Sequence, residues 1–571
     1  MLNKKQVIKA LEDIAVYLEL KGENPFKISA YRKAAGALET DDRSMGNIDD
    51  PGSLKGIGKG TAQVINELVA TGESQVLNDL REEIPAELPK LLRLPGLGGK
   101  KIAKLYQLLG VIDLNSLKQA CLDGRVSQLE GFGKKSEEKL LQAIDEYNVR
   151  PERLPIAYMM PMAEKIESVL ARIDAVDRYA KAGSIRRFKE MMKDLDFVVA
   201  TDDPQAVADG IKALIDIHDI SGEGETKMTI ILNDDYQVSV DFRFVAPQAF
   251  ATAWHHFTGS KDHNVNMRQL AKAKNESISE YGVLQHDTGE LLSFVTEQAF
   301  FNHFDLDEIP PEVREGRHEI EVAGQEAIKL VQSMDIKSDC HMHTTWSDGA
   351  FTVEEMAEAA RNKGYEYIMI TDHSKSLRVA NGLTETRLRQ QREEIERLNA
   401  TYNDFHIYAG VEMDILPDGS LDYSDDMLQE LDFVIAAIHT SFAQDRTTIM
   451  KRLDNALQNP YVKLIAHPTG RIIGGRKGYD VDIEHLIDGA WETGTALELN
   501  ANLNRLDLAP EWLAKARDRG VTLAVNTDAH AIDMLDDMRY GVSAARRAWL
   551  EPTHLLNCKT RQEMDAFLKQ S

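Results

Sequence analysis

The chain has 571 residues, of which 43% are apolar and 28% charged; these values exclude wholesale disorder and a membrane-embedded protein, and the length calls for roughly three to five separately cored units. With 93 acidic against 67 basic residues the formal net charge is −26, so most of the surface repels phosphate and any contact with nucleic acid has to be local. Three scattered cysteines, Cys121, Cys340 and Cys558, make no disulfide framework, and Glu12, Asp13 and Glu19 interrupt the opening apolar stretch, which argues against a signal peptide and for the cytoplasm.

The opening segment instead places Val7, Ile8, Leu11, Ile14, Ala15 and Leu18 on one face of a helix. Three glycine punctuations follow, LKGIGKG (54–60), LPGLGGKK (94–101) and LEGFGKK (129–135), each after a leucine, before a helical stretch and beside a lysine. One Gly-x-Gly is an ordinary helix cap and turn; three copies in one setting predict repeated helix-hairpin-helix units. Such units suit DNA without reading bases: glycines admit close backbone approach, amides at a helix N-terminus hold a phosphate, and lysine adds charge. The candidate DNA contacts are Gly56, Gly58, Lys59, Gly96, Gly98 and Lys100, within basic clusters near 55–59, 100–104 and 134–139, whereas the last third of the chain is acidic.

From about 150 to 245, helices alternate with β-branched strands, DFVVA (196–200), MTIIL (228–232) and QVSVDFRFV (237–245), predicting an antiparallel or mixed sheet. Asp194 and Asp196 stand two apart on a strand, so their carboxylates share a face, and Asp241 lies on another strand. Three converging carboxylates can hold a pair of Mg²⁺ (or Mn²⁺) ions that also take substrate phosphates. Upstream, GSIRR (183–187) offers a turn, a hydroxyl and two guanidiniums suited to a triphosphate. A lone Asp-x-Asp is common at strand ends; GSIRR before it and a third Asp after it single this one out.

On these motifs the first 310 or so residues resemble the DNA polymerase X family. The resemblance implies an N-terminal helical domain for the gap and its 5′-phosphate (1–85), helix-hairpin-helix fingers (86–150), a nucleotidyltransferase palm (151–245) and a thumb (246–310). It assigns Tyr31, Arg32 and Lys33 of ISAYRKAA to DNA. HHFTGSKDHNVNMR (255–268) looks like the family's Phe-Thr-Gly-Ser segment, which adds Thr258, Gly259, Asn264 and the template-side Arg268 to Gly183, Ser184 and Arg187 as residues around the incoming nucleotide. Three positions depart from the pattern. Lys193 stands where relatives have glycine, and His256 where a tyrosine often helps exclude ribonucleotides. Val64 stands where lyase-competent relatives carry a Schiff-base lysine; an apolar side chain forms no imine, so lyase activity by that route is expected to be weak or absent.

A polar, proline-bearing stretch over 311–334 reads as a linker. Beyond it about seven apolar strand-like runs alternate with helices, the pattern of a β/α barrel or doubly wound sheet. Nine candidate metal ligands follow these runs: His341, His343, Asp348, His373, Glu412, His439, His467, Asp528 and His530. They are expected to meet at one C-terminal rim. Cys340 should point away from them, into the core. Six imidazoles and three carboxylates without a thiolate suit Mn²⁺, Zn²⁺ or Fe²⁺, and are enough for three ions. The stretch 335–571 resembles the polymerase and histidinol phosphatase (PHP) family, implying a distorted seven-stranded β/α barrel with phosphoesterase chemistry.

The expected fold class is thus multidomain α+β and α/β: helical hairpins, a polymerase beta-like palm and thumb, and a C-terminal barrel. The combination resembles bacterial members of family X. It implies a monomer that acts on gapped or nicked DNA with a 5′-phosphate and on dNTPs in base excision repair, with no membrane partner. Gap filling would use Asp194, Asp196 and Asp241; 3′ to 5′ cleavage, with abasic-site endonuclease and 3′-phosphatase action, would use the rim, each site working independently. Two other readings stand beside it: a PHP phosphatase or nuclease whose front half binds DNA but polymerises weakly, and a noncatalytic DNA scaffold. Twelve apparent metal ligands weigh against the scaffold, because crowded carboxylates without a cation repel one another.

Overall fold

Apolar residues at helical spacing assemble the N-terminal part as expected. The computed structural model describes residues 4–40, 48, 50–94, 96–147 and 151–569, and the chain divides into two units, Met1–Glu152 and Arg153–Ser571. In the first, helix Lys4–Lys21 buries Val7, Leu11, Ile14 and Leu18 against Ile28, Leu38 and Ile65, and its Leu20 belongs to a second core with Leu97, Ile102 and Ile144. The expected division at 85 therefore separates two cores that share one helix.

The three hairpins repeat one geometry. Short 3₁₀ turns, Pro51–Ser53, Leu88–Arg93 and Val126–Gln128, lead into the loops. The carbonyls of Leu54, Leu94 and Leu129 accept from the N–H of Ile57, Leu97 and Phe132 at 3.1, 3.2 and 3.0 Å. The first glycine of each loop, Gly56, Gly96 or Gly131, lies at φ 109°, 81° or 90°, a conformation that side chains resist. Helices Lys59–Thr71, Gly99–Leu109 and Lys134–Tyr147 follow at once. The apolar middle residue packs inward, while Gly56, Gly58, Gly96, Gly98, Gly131 and Gly133 and Lys59, Lys100 and Lys134 are exposed.

The second unit opens on a five-stranded sheet in the order Arg178–Lys181, Asp194–Ala200, Ser239–Val245, Lys227–Leu232, Ile217–Glu223. Asp194–Ala200 and Ser239–Val245 run parallel and the other pairs antiparallel, so the sheet is mixed. Its edge strand Ile217–Glu223 is mostly exposed and for that reason carries no apolar alternation that the sequence could reveal. One face, with Leu195, Phe197, Val199 and Phe242, is buried under helix Ile156–Leu170; the other packs Val198, Ala200 and Val245 against Phe250 and Ala253 of helix Phe250–Thr258.

The expected linker over 311–334 is corrected by the structure. A 3₁₀ turn Pro311–Val313 and a helix Glu319–Ala323 run through this stretch, and Val313, Ala323 and Leu330 share a core with Met267, Phe300 and Phe301. Its charges are internal. Arg314 is fully buried, donating from Nε to the Ile309 carbonyl at 2.8 Å and from Nη1 to Glu297 Oε1 at 2.7 Å. Arg186 Nη1 donates to the same Oε1 at 3.0 Å and its Nη2 to Oε2, its guanidinium 3.3 Å from the centre of the Trp254 ring. His263 Nδ1 lies 2.9 Å from Glu319 Oε1. A polar composition that reads as solvated is here a buried ion network.

Seven parallel strands then follow in sequence order, Ser338–Asp339, Tyr367–Ile370, His406–Asp414, Phe433–Ala437, Val462–Ile465, Ala496–Asn500 and Leu523–Asn526. A parallel bridge between Met342 and Ala529 brings the last strand against the first, leaving a nearly closed barrel. Side chains alternate between two cores. Ile368, Ile370, Val411, Leu497 and Val525 pack outward into a cluster continuous with the five-stranded sheet, and Tyr367, Met369, Tyr408, Phe433, Leu464 and Ala524 fill the interior. Met564 of helix Arg561–Leu568 joins the interior cluster. Cys340 lies there too, fully buried, and burial pushes its thiol pKa up. No helix among the described residues is long and apolar enough to cross a membrane.

Burial alone would raise the Glu297 pKa, but Arg314 and Arg186 outweigh it and hold the value at about 2. Replacing Glu297 by alanine leaves two buried guanidiniums without a counter-charge, and is expected to cost roughly 3–5 kcal/mol of stability at neutral pH. A carboxylate with a depressed folded pKa contributes stability above its unfolded value and loses it as pH falls. Denaturant titration should therefore show the gap between parent and Glu297→Ala shrinking as pH drops from 4.5 towards about 2.

Candidate metal centres

On the mixed sheet, strand alternation turns Asp194 and Asp196 to one face, and register does the rest: Asp196 is paired directly with Asp241 on the neighbouring strand. Asp241 accepts from Thr229 Oγ1 at 2.6 Å and meets Lys227 Nζ at 2.9 Å. Asp196 has no such relief. Its burial, then the charges of Asp194 and Asp241, push its pKa up to about 7, the signature of a site short of positive charge.

The turn expected to hold a triphosphate lies against this carboxylate. The Ala182 N–H donates to the Asp196 carbonyl at 2.8 Å, and a Cβ added to Gly183 would stand 2.0 Å from Asp196 Oδ2; only glycine fits. Ser184 is half-buried on the same short helix, Gly183–Arg186. Arg187 donates to the Thr258 carbonyl and passes 3.2 Å from the Cβ position of Gly259, so the two glycine turns are joined through one guanidinium. Asn264 donates to the His256 carbonyl at 2.7 Å while its buried Oδ1 has no protein partner; Arg268, one helical turn further along helix Lys261–Ala273, is exposed. The pairing of two guanidiniums for phosphate is corrected: Arg186 is committed to Glu297, Thr258 and Trp254, whereas Arg187, itself held by the Thr258 carbonyl and 3.5 Å from Glu315, is the one that lies beside Gly259. Lys193 points to solvent.

In the first unit, Arg32 and Lys33 are exposed, but Tyr31 is 7% exposed and packs with Ile28 and Ala35. Its place on the apolar stripe of helix Pro25–Thr40 makes it a core residue, which corrects its assignment to the DNA surface. Val64 is buried in the same core.

At the barrel the interior changes character along the strands, from aromatic and aliphatic at their N-terminal ends to Glu412, Asp414, Glu498, Asn500 and Asn526 at their C-terminal ends. All nine sequence-derived candidates meet there. Three groups of side chains present ligand atoms within 4.8 Å of one another: His343, Asp348, His373 and His530; His341, His343 and Asp528; and His373, Glu412 and His439. Shared members His343 and His373 link the groups. Glu412 is the hub, with imidazole nitrogens of His373, His467, His439, His341 and His343 at 2.8, 2.9, 3.1, 3.5 and 3.6 Å. His467 and Asp528 adopt φ of 29° and 52°, sparsely populated values of the kind that gather at functional sites.

The donor set fits metal ions. His373 Nδ1 and Glu412 Oε2 are 2.8 Å apart, yet neither has a partner in hydrogen-bonding geometry, and His341 Nε2, 3.5 Å from Glu412 Oε2, is likewise buried without one. Buried polar atoms are ordinarily paired; atoms this close that point past one another are arranged as co-ligands. Burial would neutralise Glu412, but His439, His341 and His373 hold its pKa well below the carboxylate range. Burial, with His373 beside it, lowers His343 to about 3, keeping a neutral imidazole able to donate an electron pair.

Two supporting carboxylates escaped sequence reasoning. Glu498 Oε1 lies 2.8 Å from His341 Nδ1 and accepts from Asn526 Nδ2 at 2.9 Å, while its Oε2 accepts from the His467 N–H at 2.6 Å. Asp414 Oδ1 lies 2.8 Å from His439 Nδ1. Each orients the imidazole whose other nitrogen faces the cluster. The signal was present in ALELN (496–500), where a fully buried strand carries one carboxylate that must be partnered.

Helical hairpins, a polymerase beta-like sheet with its thumb, and a PHP-type barrel define the class of the molecule. Residues 2–74 match the family model described as a helix-hairpin-helix domain, 253–315 that of the DNA polymerase beta thumb and 339–494 that of the PHP domain. Over 570 residues, all of both chains, the sequence is 55% identical to the "DNA polymerase/3'-5' exonuclease PolX" of Bacillus subtilis (strain 168). It is also 33% identical over 204 residues, 34% of this chain and 75% of the relative, to a "Probable phosphatase" of Caldanaerobacter subterraneus subsp. tengcongensis. The chain belongs to the bacterial DNA polymerase X family with a C-terminal PHP domain.

Partners that orient a metal-bound histidine typically affect metal affinity 10–100-fold. Glu498→Gln, which keeps shape and loses charge, is accordingly expected to weaken divalent-ion binding by about that factor. Metal titration followed by elemental analysis reads the loss, and circular dichroism should match the parent.

Proposed function

We propose that this protein fills short gaps in DNA during base excision repair and degrades DNA 3′ ends at a second, metal-dependent centre. Full-length identity to a polymerase and exonuclease supports the two activities. The observation that carries the reading is convergence: Asp194, Asp196 and Asp241 gather at one sheet end beneath Gly183, and nine imidazoles and carboxylates gather at a barrel rim.

At the sheet, Asp194, Asp196 and Asp241 hold Mg²⁺ or Mn²⁺. Gly183 and Gly259 leave room for the triphosphate, Ser184 and Asn264 offer hydrogen bonds, Arg187 offers charge and Arg268 faces the template; the Thr258 hydroxyl is buried between Arg186 and the Trp254 carbonyl, which corrects its assignment to the triphosphate. The exposed hairpin amides of Gly56, Gly58, Gly96 and Gly98, with Lys59, Lys100, Arg32 and Lys33, grip the phosphates of a gapped or nicked duplex bearing a 5′-phosphate. At the rim, His341, His343, Asp348, His373, Glu412, His439, His467, Asp528 and His530 hold three ions, of Mn²⁺, Zn²⁺ or Fe²⁺. When bound, divalent cations at either centre neutralise phosphate oxygens and ease deprotonation of the attacking hydroxyl or water. Glu412 spans the rim groups, Glu498 and Asp414 fix imidazole direction, and the recessed setting favours a frayed 3′ end over paired duplex. The same chemistry extends to abasic sites and 3′-phosphates. The enzyme works as a monomer in the cytoplasm.

A second reading, a phosphatase that the front half merely localises, draws on the phosphatase-named relative that aligns with the C-terminal third. Comparing cleavage of a 3′-labelled oligonucleotide with that of a small phosphomonoester separates the two.

On a one-nucleotide gapped duplex with Mn²⁺, Asp194→Ala combined with Asp196→Ala should abolish dNTP addition, a loss of at least about a thousandfold, and preserve 3′ cleavage. His341→Ala with His343→Ala should do the reverse. Loss of both activities in the sheet variant, with its fold intact, would contradict the assignment. Because an apolar valine, buried in the core, stands at position 64, borohydride treatment on an abasic substrate should leave little or no covalent adduct on the N-terminal domain; a strong adduct on that domain is the contrary result.

A further inference from the structure

The segment between the glycine turn and the strand of Asp194 and Asp196 is held from the barrel. Arg547, near the end of helix Met538–Arg547, donates from Nη1 to the Arg187 carbonyl at 2.7 Å. The next residue, Phe188, is buried and stacks on Tyr540 of the same helix, ring centres 6.3 Å apart and planes 19° apart. Glu190 is gripped bidentately by Arg471, at 2.6 and 3.1 Å. Arg471 is itself anchored in the barrel by the carbonyls of Arg505, at 3.0 Å, and Leu506.

Two further observations show that these contacts do more than join domains. Phe188 has φ 55°, a left-handed conformation that a bulky residue adopts only where its surroundings impose it, and the surroundings here include the barrel's Tyr540. Next to it, Arg187, Lys189 and Arg547 converge on one carboxylate: Glu315 meets Lys189 at 2.7 Å and Arg187 and Arg547 at 3.5 Å each. The Nε atoms of Arg187 and Arg547 and Oε1 of Glu315 are buried without hydrogen-bond partners. Arg187 is therefore steered by an incompletely satisfied network, in which the barrel supplies one cation and the one hydrogen bond that fixes its main chain from outside the sheet.

We propose that Arg547, supported by Tyr540 and Arg471, is a positioning element of the nucleotidyl-transfer site, so that nucleotide addition depends on the barrel domain independently of the barrel's metal centre. This rests on the reading of Arg187 as a triphosphate contact. By fixing residues 187–190, the barrel sets the Arg187 guanidinium between Gly259 and Asp196 and the entry of the strand that carries Asp194.

The test uses the full-length protein. Single-nucleotide addition to a gapped duplex is measured against dNTP concentration, 3′ cleavage is measured on the same preparation, and thermal midpoints are compared. Arg547→Ala is expected to raise KM for dNTP about tenfold or more with a smaller change in kcat, while 3′ cleavage stays at the parent's value and the midpoint falls by only a few degrees, because Lys189 and Arg187 still face Glu315. Arg547→Lys, which reaches Glu315 but lacks the guanidinium fork, should recover part of the loss. A parental KM in folded Arg547→Ala overturns the proposal, as does a fall of kcat, cleavage and midpoint together. Should Arg547→Ala not fold, Arg471→Gln, whose side chain is 18% exposed, decides: raised KM supports the proposal and parental KM overturns it. If the parent adds no dNTP, or if Asp194→Ala with Asp196→Ala still does, the reading of the sheet site fails instead.

Discussion

Burying carboxylates costs several kcal/mol for each charge unless a counter-charge meets them, and this molecule is arranged around that demand. At the sheet, burial and the neighbouring charges of Asp194 and Asp241 outweigh Arg243 and Arg187, so the proton affinity of Asp196 climbs. At the barrel rim, Glu412 is ringed by five imidazoles and its proton affinity falls. The two solutions suit different tasks. On the function proposed above, the sheet would take cations that arrive with a substrate triphosphate, whereas the rim is a closed donor set, braced by Glu498 and Asp414, that suits resident ions.

The same demand shapes what lies between the centres. Glu297 is neutralised by Arg186 and Arg314, Glu315 by Lys189 with two arginines nearby, and Glu190 by Arg471. These pairs stitch the sheet, the thumb segment and the barrel together, above an apolar cluster that runs unbroken from Phe197 and Phe242 into Ile368 and Val525. Two chemistries on one chain could have been two domains on a tether. Here they share a core.

Much of this was legible in the residues. A period of two placed Asp194 and Asp196 on one face, glycines marked the hairpins, and histidines and carboxylates following apolar runs marked a barrel rim. What escaped has a common physical cause. The Ile217–Glu223 strand lies at an exposed edge and shows no alternation. Tyr31 reads as a surface residue beside two basic ones until its helix is seen to turn it inward. The 311–334 stretch is polar because its charges pair internally, and composition cannot distinguish a charge facing water from one facing Glu297.

By itself the sequence determined which groups are available: three carboxylates on strand-forming segments, nine donors at strand ends, glycines at the hairpin turns, and an apolar valine at position 64. Periodicity and residue chemistry are local, so a linear string carries them. Only the tertiary structure decided that Asp241 faces Asp196 rather than a neighbour one register away, that Glu498 stands behind His341, that Arg186 is spent on Glu297 while Arg187 is not, and that a barrel arginine grips the loop beside the nucleotide turn. Those relations join residues 45 to 360 positions apart, and distance in space at such separations is set by how all the intervening segments pack together.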